Sequence, residues 1–178
     1  YAFYNIGKIG SVEDKPTIIM DMGAENTTLV VCTQTSVWQR TIRMGGNAFT
    51  EAIEDAFKLN FRKAEKLKRK APVSKYAKQI FTAMKPVFTD LSGEIQRSLG
   101  FYNSSGPGKD KGFARIIALG GGMKLQGLAK YLNKSMSIPV VKPDSFTKLS
   151  FSEDISTAEF HEHISDFGVA YGLCIQML

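Results

Sequence analysis

The sequence predicts an α/β layered domain with a mixed sheet, and three observations carry that expectation. Three short β-branched and apolar runs open the chain between Thr17 and Arg43. A nearly continuous apolar run, Phe113 to Leu119, reads as a strand buried on both faces and leads straight into Gly120-Gly121-Gly122. Helical spacing of apolar residues fills most of the interval between them. The resulting order is βββ, three helices, β, glycine turn, α, β, α.

Thr17–Asp21 is apolar and ends in an acid, Thr28–Thr33 is β-branched, and Ser36–Arg43 partly alternates, so each is expected to be a strand. Turns are expected at Met22–Thr27 and near Gln34. Residues 1–16 are ambiguous, and Tyr1–Ile9 reads as the end of a helix or strand begun upstream. Gly45-Gly46-Asn47 is expected as a turn, with a helix opening at Thr50 and carrying Ala52, Ile53, Ala56 and Phe57. Asn60 can stop that helix or cap the next, Arg62–Arg69, whose Ala64 and Leu67 should face inward before Pro72 ends it. Lys75 to Tyr102 is a long amphipathic pattern (Ile80, Met84, Val87, Phe88, Leu91, Ile95, Leu99), in which Pro86 should impose a kink or mark the start. Ser104–Gly112 is a loop by composition. Leu125–Asn133 is expected as a helix and Ile138–Val141 as a short strand. Residues 142–162 are polar and poorly periodic, and Ile164–Leu178 is a final helix with Val169, Ala170, Leu173 and Met177 on its inward face.

With 178 residues, 43% hydrophobic and 22% charged, the chain has the proportions of a folded domain rather than a disordered one. No run approaches the ~18 apolar residues of a membrane-spanning helix, and no signal peptide opens it. It begins with Tyr1, so a piece of a longer protein is expected. Cys32 and Cys174 are expected as two reduced, mostly buried thiols in a reducing compartment. The net charge of +6 is unevenly spread: residues 40–85 hold twelve Lys/Arg against four acids, whereas residues 144–166 hold six acids against Lys148. Such a basic window is a solvated helix face or a surface for nucleic acid, anionic lipid or polyphosphate. The run Lys66–Lys70 has no interleaved aromatic residue for base stacking. His161-Glu162-His163 lacks a third nearby ligand and is a weak metal motif. Trp38 and Phe101-Tyr102 read as packing residues.

Three stretches carry candidate chemistry. Asp21-Met-Gly23-Ala24-Glu-Asn26-Thr27-Thr28 places an acid at a strand end before a turn. Turn N–H groups can surround phosphate oxygens, and the carboxylate can hold Mg²⁺ through water. The same pattern also occurs in plain hairpins. Leu119-Gly120-Gly121-Gly122-Met123 joins a strand to a helix, a good place for a nucleotide, but has the spacing of neither the dinucleotide fingerprint nor the P-loop. Gly45-Gly46-Asn-Ala-Phe-Thr50 is followed by Ala64-Glu65-Lys-Leu-Lys68, where Glu65 and Lys68 share a helix face. That pair could reach ribose hydroxyls or form a surface ion pair.

Taken in order, Asp-x-Gly-x-x-x-Thr-Thr, Gly-Gly-x-x-x-Thr, Ala-Glu-x-x-Lys and the triple glycine resemble the second half of the actin-like ATPases. Within them the chain is most similar to the PilM family of type IV pilus assembly, with the division protein FtsA next. Arg43–Ile53, Lys63–Lys68, Glu94–Tyr102 and Phe167–Leu173 each resemble PilM segments, and the resemblance covers residues 17–178. It implies an actin-like (ribonuclease H-like) ATPase domain II, a mixed sheet flanked by helices with a small helical insertion. Residues 1–46 and 76–178 would be subdomain IIA and residues 47–75 a reduced helical IIB. The resemblance further implies ATP and Mg²⁺ as cofactors. Asp21 would sit near the metal, and Gly23, Ala24, Asn26 and Thr27 would belong to the phosphate hairpin. Gly46 would line the floor, Glu65 and Lys68 would approach ribose or adenine, and Gly120, Gly121, Gly122 and Met123 would form the adenosine turn. The first half, with its phosphate loop and the residue that orients the attacking water, is absent. The resemblance therefore implies at most weak ATPase activity in an intact protein and none in this chain alone. Ala24-Glu25-Asn26 departs from the glycine-richer FtsA turn, and Glu25 adds negative charge where phosphates would sit. The implied role is a cytoplasmic scaffold, peripheral at the inner face of the membrane. It would engage the cytoplasmic tail of a PilN-like inner-membrane protein, with self-association possible and no nucleic acid. Alternatives are an FtsA-like division scaffold, a sugar-kinase-type phosphotransferase of the same fold, and a plain basic binding domain.

Overall fold

The computed structural model of the chain describes residues 15–33, 35–105, 112–143, 150, 152 and 157–175. Strands β1 (Thr17–Met22), β2 (Thr27–Cys32) and β3 (Val37–Ile42) form an antiparallel meander. Helices α1 (Gly46–Phe57) and α2 (Phe61–Arg69) follow, then a 3₁₀ turn at Ala71–Val73 and the long α3 (Ala77–Ser105). The second half contains β4 (Arg115–Leu119), a 3₁₀ turn at Gly121–Lys124, α4 (Leu128–Met136), β5 (Val140–Val141), α5 (Thr157–His163), a 3₁₀ turn at Ile164–Phe167 and α6 (Gly168–Ile175). The sheet order is β3-β2-β1-β4-β5, with β4 parallel to both β1 and β5. The expected α/β mixed sheet is therefore present.

Chain position in the sheet explains strand composition. β1 and β4 are central and covered on both faces, so both read as nearly unbroken apolar runs. β3 is an edge strand and is mostly exposed, with only Ile42 buried. One sheet face carries Ile18, Met20, Leu29, Val31 and Ile116, packed under α1, α3 and α4. The α3 seam is Ile80, Met84, Phe88, Leu91, Ile95, Leu99 and Tyr102, spaced by three and four residues as one helix face requires. Tyr102 closes it against Trp38, with ring centroids 5.5 Å apart. The opposite sheet face carries Ile19, Cys32, Ile117 and Leu119 beneath Ile164, Tyr171 and Ile175.

Several local expectations are corrected. α1 opens at Gly46, four residues before Thr50, because the β1–β2 turn satisfies its first amides: Gly46 N–H donates to Gly23 O (3.0 Å) and Asn47 N–H to Ala24 O (2.7 Å). Asn60 caps α2, its side chain accepting from Lys63 N–H at 3.0 Å. Pro86 neither starts nor breaks α3. It lies on the exposed face, as does Thr82, whose carbonyl loses its helical donor. The helix expected at Leu125 starts at Leu128, because the glycines enter a 3₁₀ turn and Gly127 (φ +86°) resets the chain direction. A helix, α5, forms inside the stretch that lacked periodicity. The inward face assigned to the last helix is reversed. Val169 and Leu173 are 58% and 62% exposed, and Ala170 is exposed, while Gly168, Tyr171 and Ile175 are buried. Met177 lies outside the described residues, as do Tyr1–Ile9, Gln34 and most of 104–112. Cys32 is buried as expected, but Cys174 is exposed.

Candidate functional site

β1 and β4 run parallel in register, Asp21 opposite Leu119, so their carboxyl ends open side by side. Crevices at such ends are where open α/β sheets bind ligands. Two turns leave this edge. The β1–β2 turn is Gly23–Asn26, closed by Gly23 N–H donating to Asn26 O at 2.9 Å and exposed throughout. The β4 turn is Gly120–Met123. Asp21 stands between them, half-buried.

Asp21 and Gly120 are matched by shape. A Cβ on Gly120 would fall 2.4 Å from Asp21 Oδ1 and 2.4 Å from Met22 O, and the backbone there has φ +86°. Gly122 is pressed in the same way, its would-be Cβ 2.5 Å from Met22 Cγ. The glycines let the turn after β4 pass close over Met22 at the end of β1 and so lie beside the carboxylate. Among the described residues the Asp21 carboxylate has no hydrogen-bond or ion-pair partner. Burial pushes its pKa above the ordinary 3.8, because water is withdrawn and no donor replaces it. The amides of Ala24, Glu25, Asn26, Gly121 and Gly122 also lack acceptors among the described residues. The edge therefore presents an uncompensated carboxylate flanked by unused N–H donors. Those two features together suit a cation carried by a phosphate chain.

Other expected site residues are occupied by the fold. Thr27 is fully buried and its hydroxyl donates to Met44 O at 2.7 Å. Met123 is buried, and its N–H donates to Gly120 O. Lys68 Nζ donates to Gly46 O (2.8 Å), Thr50 Oγ1 (2.7 Å) and Glu65 Oε2 (2.7 Å), which uses all three of its hydrogens. Thr50 in turn donates to Glu65 Oε2 at 2.6 Å, and Arg69 Nε to Oε1 at 2.8 Å. Burial would raise the Glu65 pKa. The bonds from Lys68, Thr50 and Arg69 outweigh it and bring it down to about 2. This pair is an internal bracket holding α2 to the first turn of α1. It borders the crevice through Gly46, whose would-be Cβ lies 3.6 Å from Gly23 O.

Sequence reasoning missed a cluster on the far side of the glycine turn. Lys124 Nζ meets Asp166 Oδ2 at 2.5 Å and His163 Nδ1 at 2.7 Å, and His163 Nδ1 lies 3.1 Å from Asp166 Oδ2. Burial would raise the Asp166 pKa, but hydrogen bonds from Lys124 and His163 hold it below 3.8. Asp166 Oδ1 is 3.6 Å from a Cβ placed on Gly121. Forty-two residues separate Lys124 from Asp166, so no local pattern announced the group.

The family model described as type IV pilus assembly protein PilM matches residues 10–178. The chain belongs to this family. Among solved structures it is similar to a chain of the PilM-PilN type IV pilus biogenesis complex. That match has a TM-score of 0.81 at 28% identity, covering 98% of this chain and 50% of that one. MreB 5 of Spiroplasma citri bound to AMPPNP matches with a TM-score of 0.65 at 16% identity over 98% of this chain and 56% of that one. The ethanolamine utilization protein EutJ from Carboxydothermus hydrogenoformans matches with a TM-score of 0.58 at 17% identity over 80% and 47%. These last two show the actin-like fold. Comparison with curated proteins finds no match. The chain spans about half the length of the PilM-containing structure it matches, and no helix among its described residues is long and apolar enough to cross a membrane.

Proposed function

We infer that this chain is the second half of a PilM-type protein in which an actin-like cleft binds Mg-ATP. We also infer that nucleotide occupancy sets the assembly state of a type IV pilus or related secretion complex. The single observation that carries the nucleotide reading is the Asp21 carboxylate, unpartnered among the described residues, between two turns whose amides are unused among them. The residues present fit the group. Asp21 would hold Mg²⁺ through water, the amides of Ala24, Glu25 and Asn26 would face phosphate oxygens, and Gly121 and Gly122 would admit the nucleoside face to face with the backbone. Mg²⁺ supplies positive charge that offsets the phosphates. The bracket of Lys68, Glu65 and Thr50 fixes the floor at Gly46 rather than touching the nucleotide directly. Residues 1–46 and 76–178 would then be subdomain IIA and residues 47–75 a reduced IIB, although α1 and α2 share the main core with α3. The reading is a nucleotide-dependent scaffold with at most weak ATPase activity in the intact protein.

The partner follows from the similarity to the PilM-PilN complex: a short tail of a PilN-like membrane protein, which would bring the protein to the inner face of the cytoplasmic membrane. Calorimetry of Mg-ATP against the longer parent chain, its Asp21→Ala variant and this 178-residue chain tests the cleft. Asp21 has no partner to lose among the described residues, so the substitution should leave the fold intact and weaken Mg-ATP by about tenfold or more, or ~1.4 kcal/mol. The 178-residue chain alone should bind weakly, having one wall of donors. A folded parent that does not bind, or binds equally well with Asp21→Ala, rejects the site.

A further inference from the structure

The segment from Lys58 to Lys78 holds nine Lys/Arg against one acid, Glu65. Glu65 is already tied to Lys68 and Arg69. The helix decides which of these charges reach solvent. Ala64 and Lys68 face the domain, so Arg62, Lys66 and Arg69, spaced by four and three residues, project from the opposite side of α2. Lys58, Lys63, Lys70, Lys75 and Lys78 are exposed as well. The same segment exposes large apolar side chains that the domain leaves unused. Val73, at the end of the 3₁₀ turn, is 86% exposed, and Phe61 and Tyr76 are 42% and 44% exposed. Lys75 Nζ lies over the Tyr76 ring at 5.0 Å.

We propose that this face of α2 and the following 3₁₀ turn docks on an anionic bilayer surface. Fixed positive charge in this density is attracted by anionic headgroups within a Debye length. An apolar tip beside the Tyr76 ring and long basic side chains is the composition that inserts at the headgroup boundary, whereas Phe61, on the Ala64 side of α2, takes no part. A nucleic acid would match the charge but leaves Val73 without a role. Because α2 turns Lys68 toward Gly46 and the opposite face outward, docking leaves the crevice at Asp21 open. The proposal stands whether or not that crevice takes a nucleotide.

The test is co-sedimentation of the full-length protein with phosphatidylcholine vesicles, with and without phosphatidylglycerol, at low and high salt. Binding is expected only to the anionic vesicles and is expected to disappear at high salt. The variant Arg62→Gln/Lys66→Gln/Lys70→Gln should weaken it by at least about tenfold. Val73→Ser, which leaves every charge in place, should weaken it severalfold. All four positions are exposed, so an unchanged melting curve is expected for both variants. Failure to bind anionic vesicles, or binding unaltered in both variants, overturns the proposal. So does tighter binding of duplex DNA than of vesicles at matched salt with Val73→Ser without effect, since the surface would then read polyanions alone.

Discussion

Replacing Gly120 with alanine probes the joint on which the crevice depends. At φ +86° and ψ 158° the backbone occupies a region that is essentially glycine-only, where a side chain costs roughly 1–3 kcal/mol. The added methyl would also stand 2.4 Å from both Asp21 Oδ1 and Met22 O, neither of which is the end of a long flexible side chain. Overpacking of that kind adds roughly 1–3 kcal/mol. The combined loss is about 3 kcal/mol, which for a chain of this size lowers the melting temperature by roughly 6–12 °C. Gly121→Ala is the internal control. Its methyl meets only Asp166 Oδ1 at 3.6 Å, an ordinary contact, and should cost under about 0.5 kcal/mol. The assay is urea unfolding and thermal melting of both variants, followed by Mg-ATP calorimetry of whichever parent proteins remain folded. If Gly120→Ala melts with the unsubstituted protein, then the turn after β4 does not pass the end of β1 as closely as described, and the placement of Asp21 beside the second turn is wrong.

Three further outcomes are expected. The Glu65 carboxylate, held at about 2, contributes stability that is present above its unfolded pKa near 4.5 and lost as pH falls toward 2. With the partly exposed Arg69 arm discounted for screening, the loss is about 1–2 kcal/mol. Glu65→Gln should flatten that pH dependence in unfolding titrations, and a variant with the same acid slope would contradict the bracket. Tyr171→Ala should destabilise by about 3–5 kcal/mol while Val169→Ser stays within about 0.5 kcal/mol, because only the first is buried; reversed values would restore the inward face read from the sequence. A thiol reagent should label Cys174 at once and Cys32 only on unfolding, since Cys32 is buried and burial pushes its thiol pKa up; two fast-reacting thiols would contradict the second core layer.

Strand existence was legible because period-two and unbroken apolar runs reflect how many faces each strand buries. The body of α3 was legible because its apolar seam repeats at helical spacing, although the sequence read Pro86 as a kink or start and placed Ser104 in a loop, whereas the helix runs through both. Boundaries were less so, and in each case the missing information was a distant partner. The start of α1 depends on carbonyls of Gly23 and Ala24, contributed by a hairpin two strands earlier. The last helix is short and rich in small and apolar residues on every side, so periodicity could not say which side faces the sheet. Tyr171 and Ile175 won because they meet Ile19, Ile117 and Leu119.

The candidate site divides along the same line. Asp21, Gly23 and the triple glycine stood out because an acid and glycines at strand ends are locally unusual. The motifs in their order also carried the family resemblance that the comparison with PilM bears out. Glu65 and Lys68 were recognised as a pair, but their roles were left open. Only the structure shows Lys68 spending all its hydrogens on Gly46, Thr50 and Glu65. The group formed by Lys124, His163 and Asp166 had no sequence signal at all.

By itself, then, the sequence determined the α/β class, the strand set and the family, because these follow from local periodicity and from short motifs in a fixed order. The tertiary structure decided which polar groups are free. Hydrogen-bond satisfaction is a property of the folded neighbourhood: Thr27 and Lys68 are consumed by residues 17 and 22 positions away, whereas Asp21 is left half-buried, its carboxylate partly desolvated and without a partner among the described residues.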